Sequence, residues 1–241
     1  MIDYAKVSKI AEYIKQSRLW ADWQYGTRCW EYPWILENGC FDKGVKCLDA
    51  GCGQSPLPVY LHDIGCEAHG LDYLRGEKGD YPETYGINQE WIKSLRGKVN
   101  YHHGTMFNAP FPDNTFDRVT CVSVLEHILT PENPRAHNPC LRELRRILKP
   151  GGLLIVTVDF FMNPEVTPGY DYRDDVSFLE MAPLAADSRL WTREEITADE
   201  DTYFIPPQMY LQMGYGEGFN KKIYHRLTSV GYILKKPSSA P

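Results

Sequence analysis

One six-residue string, Leu48-Asp49-Ala50-Gly51-Cys52-Gly53, constrains this chain more than any other feature. The apolar run before it, Val45 to Leu48, reads as a strand, and Val59 to Ile64 after it reads as a helix that Gly65 stops. Glycines between a strand and a helix let the backbone turn sharply and approach a ligand where any Cβ would intrude. Pro56 and Pro58 suit the first helical turn, whose free N–H groups aim into the same crevice. Residues 67–72 read as a second short strand ending in an acid, Asp72, 21 residues beyond Gly51. A carboxylate in that position can accept both hydroxyls of an adenosine ribose.

The alternation continues. Residues 99–103, 117–124 and 153–160 read as third, fourth and fifth strands, and the last is nearly all apolar, as a central parallel strand should be. Leu141, Leu144, Ile147 and Leu148 form one face of a helix that gives way to a Gly151-Gly152 turn. Short apolar strands alternating with helices define an α/β, Rossmann-like, doubly wound sheet. Ahead of it, Val7, Ile10, Ala11 and Ile14 predict an amphipathic helix with Asp3 as its N-cap, followed by an aromatic segment with Trp20, Trp23, Tyr25, Trp30, Tyr32 and Trp34. Between 160 and 220 the pattern stops. That acidic, tyrosine-rich stretch is expected to be an insertion serving as a lid, its runs at 171–175 and 192–203 forming solvated surface. The expected organisation is one domain: residues 1–40 an aromatic helical cap, 45–158 the cofactor-binding core, 160–220 the lid, and 221–241 a helix end with an edge strand.

Composition removes several function classes. With 26 Lys+Arg against 32 Asp+Glu, the chain lacks the basic footprint of a nucleic-acid binder. No apolar run is long enough to span a bilayer, and the first residues lack the pattern of a secretory signal. Seven cysteines, an odd number without CxxC spacing, predict reduced, mostly packed thiols in a cytoplasmic protein rather than disulfides or structural zinc. His102 and His103 beside Glu126 and His127 suggest a metal, but neighbours on a strand point to opposite faces, so no metal is expected.

Two ligands compete for the glycine turn. A nicotinamide dinucleotide fingerprint needs a third glycine where Pro56 stands, and Asp49 would repel a pyrophosphate. The same carboxylate suits the ammonium and sulfonium charges of S-adenosyl-L-methionine.

The string 48–53, the acid in His69-Gly70-Leu71-Asp72, the run 104–128 and the run 141–158 resemble, in order, the signature blocks of class I S-adenosylmethionine-dependent methyltransferases. The texture is nearest to small-molecule enzymes of the ubiquinone/menaquinone type. This resemblance implies a seven-stranded sheet with a reversed last strand pair, S-adenosyl-L-methionine as cofactor and a small-molecule acceptor such as a sugar or natural-product hydroxyl. It places Asp49, Gly51, Cys52 and Gly53 around the methionine moiety, Asp72 with Tyr73 at the ribose, Thr105 and Met106 beside the adenine, and Ser123 under the cofactor. Thr105 stands where the family commonly has an acid, which leaves the adenine contact to a hydroxyl or a backbone group.

Four further residues face the expected cleft. His127 is a candidate general base toward a hydroxyl, its alternative being a packing role in the Leu125–Ile128 turn. Asp159 ends the fifth strand as a base or substrate anchor, or else as a cap, and Glu126 and Tyr32 are placed on the acceptor side. Arg28 has two readings, a bidentate partner for the cofactor carboxylate or an ion pair with Glu31 one helical turn away. A non-catalytic cofactor-binding protein keeps every one of these glycines and is the competing functional class.

Overall fold

A computed structural model describes residues 1–16, 26–73, 98–128, 137–161, 182–183, 191–205 and 227–238. The strands are β1 (Ile2–Tyr4), β2 (Lys46–Ala50), β3 (Glu67–Asp72), β4 (Asn100–His103), β5 (Phe116–Val122), β6 (Leu148–Phe161), β7 (Ala182–Pro183) and β8 (Leu227–Lys235). The helices are α1 (Val7–Gln16), α2 (Arg28–Asn38), α3 (Leu57–Asp63), α4 (His137–Ile147) and α5 (Arg193–Ala198), with one 3₁₀ turn at Leu125–His127.

The strands lie in the order β1-β8-β6-β5-β2-β3-β4, with β7 also paired to β8. From β4 to β6 all neighbours are parallel, whereas β8 runs antiparallel to both β6 and β1. Parallel neighbours need crossovers, and the helices between them cover both faces. On one face Ile10, Trp30, Trp34, Ile35, Leu57 and Leu61 pack on Cys47, Val122, Ile155 and Ile233. On the other, Cys140, Leu141, Leu144, Ile147 and Ile196 pack on Leu48, Val119, Val156 and Val230. The expected doubly wound sheet with a reversed C-terminal strand is therefore present.

Helix α2 owes its position to one glycine. Trp34 lies so close to β8 that a Cβ on Gly231 would come within 2.5 Å of its indole. Trp30 stacks on Trp34 at 5.0 Å, and both are 1% exposed, so these two tryptophans are core. Trp20, Trp23 and Tyr25 lie outside the described residues.

Several local expectations are corrected. Asp3 does not cap α1: it sits inside β1, because Ile2 and Tyr4 bury their side chains beside β8. Asp201 serves the helix start instead, its carbonyl accepting from Val7 N at 2.8 Å and its carboxylate from Ser8 N at 2.9 Å. Within α1, Ile10 and Tyr13 are buried while Val7 and Ile14 are 50% and 45% exposed, so the buried face is rotated from the predicted stripe. Residues 227–230, read as the end of a helix, belong to β8, and β8 is not an edge strand, since β1 flanks it. Residues 192–203 are not simply solvated surface. Thr192 and Glu195 form a capping box, Ile196 is 1% exposed, and the Asp199 carboxylate accepts from the Tyr4 hydroxyl. The 171–175 run lies outside the described residues.

Candidate functional site

The carboxyl ends of β2, β3, β5 and β6 and the first turn of α2 meet at one edge of the sheet. Gly51 and Gly53 adopt positive φ of 76° and 48°, and a Cβ on Gly51 would lie 2.7 Å from Val124 Cγ2. The turn thus needs glycine first for its own packing against the segment after β5. Asp72 braces the turn from the end of β3: Gly53 N and Tyr73 N each donate to its carboxylate at 2.7 Å. Burial raises the Asp72 pKa against these two bonds.

Asp49 is 2% exposed. It lies opposite Thr120 in the β2–β5 register, and Thr120 Oγ1 donates to Oδ1 at 2.7 Å. Oδ2 is buried and has no hydrogen-bond partner among the described residues. Burial, helped by the Asp72 charge, pushes the Asp49 pKa up to about 7 against the Thr120 bond. Thr120 is a residue that sequence reasoning missed; its signal, a hydroxyl in an apolar strand one position before Cys121, is weak.

The sequence-predicted residues at the other end of the crevice also converge. Ser123 follows β5 at φ 47°, a left-handed conformation rare outside glycine, and Ser123 N donates to Thr157 O at 2.9 Å. Arg28 forms the ion pair of its second reading: Nη1 pairs with Glu31 Oε2 and donates to Ser123 Oγ at 2.6 Å. Among the described residues every Arg28 hydrogen bond leaves from Nη1, and the side chain is 30% exposed. Glu31, not singled out for a role of its own by sequence, is wholly buried. Its Oε1 accepts from Ser123 Oγ at 2.7 Å and Ser229 Oγ at 2.8 Å, and its Oε2 from Thr27 Oγ1 at 3.1 Å. Arg28 and these hydroxyls hold its pKa below the ordinary glutamate value although burial opposes them.

Asp159, half-buried at the end of β6, accepts from Thr27 Oγ1 at 3.1 Å. Burial and then the Glu31 charge push its pKa up to about 6, with Arg28 acting in the opposite sense. Its backbone N donates to Glu126 Oε1 at 3.0 Å. Burial and the nearby Asp159 charge drive the Glu126 pKa well up. His127 is exposed on the 3₁₀ turn, with a lowered pKa from the surrounding protein and from Arg28, which favours the neutral imidazole. One donor atom from each of Glu126, His127 and Asp159 falls within a 4.8 Å group that is chemically able to hold a cation. That is a different set from the one weighed on sequence. His102 instead pairs with His69, Nε2 to Nδ1 at 2.9 Å, while His103 is exposed.

Cys52, Met106, Thr105 and Tyr32 each have partners within the fold. Cys52 is 3% exposed, and burial holds its thiol far above the ordinary cysteine value. Met106 is a core residue, 8% exposed with its sulfur 3.9 Å from Cys121 Sγ, because it points into the sheet face while Phe107 beside it is 45% exposed. Thr105 Oγ1 accepts from Phe107 N at 3.2 Å within its own turn. Tyr32 is 5% exposed and accepts from Ser55 Oγ at 3.0 Å, tying α2 to the glycine turn.

Comparisons with known proteins agree with this geometry. Residues 48–156 match the family described as "Methyltransferase domain". A ubiquinone/menaquinone biosynthesis C-methyltransferase of Azotobacter vinelandii is 32% identical over 208 residues, covering 83% of this chain and 76% of that protein. A sterol 24-C-methyltransferase of Gibberella zeae is 32% identical over 124 residues, 50% of this chain and 29% of that protein. The chain spans about half the length or less of this and other curated relatives, at 29%, 54% and 44%. Among solved structures, the [4+2]-cyclase SpnF aligns with TM-score 0.58 at 18% identity, over 86% of this chain and 80% of its own, a likeness of fold. The chain belongs to the class I S-adenosylmethionine-dependent methyltransferases. Within that class its nearest texture is the small-molecule branch that holds the quinone-biosynthesis enzymes. Among the described residues no helix is long and apolar enough to cross a membrane.

Proposed function

We propose that this chain transfers the methyl group of S-adenosyl-L-methionine to a hydroxyl of a small-molecule acceptor. The observation that carries the cofactor half is Asp49 Oδ2, a buried acceptor with no hydrogen-bond partner among the described residues, at the foot of the Gly51–Gly53 turn. Such an atom is costly unless a donor or a positive charge meets it. The family's cofactor brings an ammonium and a sulfonium. The residues present therefore fit the group.

When bound, S-adenosylmethionine supplies a methyl already activated by the positive sulfur. The protein's tasks are then to bind, orient and exclude water. Asp49 accepts from the methionine ammonium, and Gly51, Cys52 and Gly53 offer backbone at close range. Asp72, with Tyr73 beside it, accepts from the ribose hydroxyls, and Thr105 flanks the adenine with Met106 packed behind it in the core. Ser123 lines the floor, and the free edge of the Arg28 guanidinium meets the cofactor carboxylate. On the acceptor side, Asp159 takes the hydroxyl proton, while Glu126, His127 and Tyr32 line the approach. A base that titrates near pH 6 is ionised at neutral pH and still basic enough to share a proton. A sugar or natural-product hydroxyl is the acceptor's class. Seven free cysteines suit a reducing compartment such as the cytoplasm.

Calorimetric titration with S-adenosylmethionine and its demethylated product tests the cofactor half; no heat with either ligand ends the proposal. Turnover against a panel of hydroxyl acceptors tests the rest, and tight cofactor binding without transfer to any acceptor would favour a binding protein. A second reading, transfer to carbon, is favoured by the relatives, which are named for C-methylation in sterol and ubiquinone/menaquinone biosynthesis. Asp159→Asn separates the two, lowering kcat by about 10²-fold or more for a hydroxyl acceptor at unchanged cofactor affinity. His127→Ala at full turnover would retire the imidazole as a base.

A further inference from the structure

We propose that Glu31 is a positioning residue: its buried carboxylate holds Arg28, Ser123 and Thr27 in the arrangement that sets the electrostatic surroundings of Asp159. The inference rests on the reading of Asp159 as the proton acceptor, and its test is built to fail separately from that reading.

The geometry starts from burial. Glu31 lies one turn into α2 with no exposed surface, and four side-chain donors from three parts of the fold fill its two oxygens. Two of them, Arg28 and Thr27, come from the start of α2 itself. Ser123 closes the strained turn after β5, and Ser229 lies on β8 directly opposite Asp159 in the β6–β8 register. Of the two donors from α2, Thr27 is shared directly with Asp159 and Arg28 only by way of Ser123. Thr27 Oγ1 sits 3.1 Å from Glu31 Oε2 and 3.1 Å from Asp159 Oδ1, and Arg28 Nη1 reaches Ser123 Oγ, which lies 3.4 Å from the same Asp159 oxygen. Glu31 therefore holds the groups that would otherwise turn to Asp159. A plain structural ion pair would need only Arg28; the shared hydroxyls are what connect this pair to the end of β6.

Every element around Asp159 enters the sign of the effect. Helix α2 presents Arg28 and Glu31, the 3₁₀ turn presents Glu126 and His127, and β8 and the turn after β5 present the neutral hydroxyls Ser229 and Ser123. Replacing Glu31 by glutamine removes a negative charge near Asp159 and releases Arg28 toward it. Both changes favour the Asp159 carboxylate, so its titration should fall by about one pH unit or more. Thr27→Val acts oppositely: it deletes a hydroxyl that donates to Asp159, leaves Glu31 with Arg28, and should move the titration upward by some tenths of a unit. General loosening of the site cannot produce shifts of opposite sign.

The experiment follows the Asp159 carboxyl carbon by ¹³C NMR across pH 4–9 in the full chain, assigned with Asp159→Asn, alongside pH–rate profiles of the same proteins. The expected result is a downward shift in Glu31→Gln and an upward one in Thr27→Val, in the carboxyl titration and in the acid limb of kcat alike. Should Glu31→Gln fail to fold, Thr27→Val keeps the test open. Titrations within about 0.2 units of the wild type in a folded variant overturn the role of Glu31. Shifted titrations with an unmoved acid limb, or Asp159→Asn at full turnover, overturn the base reading instead.

Discussion

Replacing Asp49 with asparagine should move stability and cofactor affinity in opposite directions. Burial above all pushes the Asp49 pKa up to about 7 from an ordinary value of 3.8. A folded-state pKa above the unfolded one contributes stability that is complete below 3.8 and lost as the pH rises through about 7. The 3.2-unit difference between those values corresponds to about 4 kcal/mol at most, at roughly 1.4 kcal/mol per unit. Asparagine removes that loss while still accepting from Thr120. Asp49→Asn should therefore raise the thermal midpoint at pH 8, by several degrees for a chain of this size, and leave it nearly unchanged at pH 4. Cofactor binding reports the other side. If the ammonium and sulfonium favour the ionised carboxylate, the wild-type Kd follows the fraction of Asp49 ionised. It should rise about tenfold between pH 8 and pH 6 for a group titrating at about 7. Calorimetry at pH 6, 7 and 8 on both proteins isolates the effect, because the ratio of their Kd values cancels the titration of the ligand's own amine. A pH-independent ratio would refute the account, and so would an unchanged midpoint for the asparagine variant at pH 8.

Three other perturbations follow from the same edge of the sheet. Gly51→Ala places a methyl 2.7 Å from Val124 at φ 76° and should cost about 2 kcal/mol or more in denaturant unfolding; a neutral result would mean that Val124 yields freely. Asp72→Ala removes the acceptor for Gly53 N and Tyr73 N and should weaken S-adenosylmethionine about 10- to 100-fold by calorimetry, whereas equal affinity would remove Asp72 from the ribose. Chelation with EDTA should leave turnover unchanged, since Asp159 already meets Thr27 Oγ1 and Glu126 already meets Asp159 N. Activity lost to EDTA and restored by Mg²⁺ would turn the Glu126, His127 and Asp159 group into a metal centre.

What could be read in the sequence was whatever is local and periodic. Strands β2, β3, β5 and β6 announce themselves because each holds a short apolar run, ended in β2 by glycine and in β3 by an acid, and their order limits the topology to a doubly wound sheet. Strand β1 was missed for a physical reason. Three residues carry too little pattern to be separated from a helix N-terminus, and only the empty edge of β8 makes them a strand. The rotated face of α1 has a similar cause, because the 192–205 segment that packs near its start lies almost two hundred residues away. The convergence of Asp49, Gly51, Gly53 and Asp72 at one sheet edge was legible for the same reason as the strands, because they sit at spacings that one βαβ unit dictates. Glu31 was not. Its partners Ser123 and Ser229 are 92 and 198 positions away, and no local rule brings them together.

That difference bears on why so acidic an edge persists inside the fold. Among the described residues, the Arg28 guanidinium acts on three carboxyls, Glu31, Asp49 and Asp159, with Glu126 next to Asp159, and it cannot neutralise them all. Its pairing decides the distribution. Glu31 takes Arg28 and sits below its ordinary pKa, while Asp49, Glu126 and Asp159 are all pushed upward. Ser123 adds a strained backbone at the same place, of order 1 kcal/mol or more. A protein shaped only for stability would replace such groups with apolar ones at little cost, or at a gain. In the function proposed above, the ammonium and sulfonium of the cofactor, which outweigh its one carboxylate, meet this excess negative charge and complete the electrostatic balance. On this argument the cofactor should stabilise the chain more at pH 8 than at pH 6, because only the ionised acids have a charge to offer it.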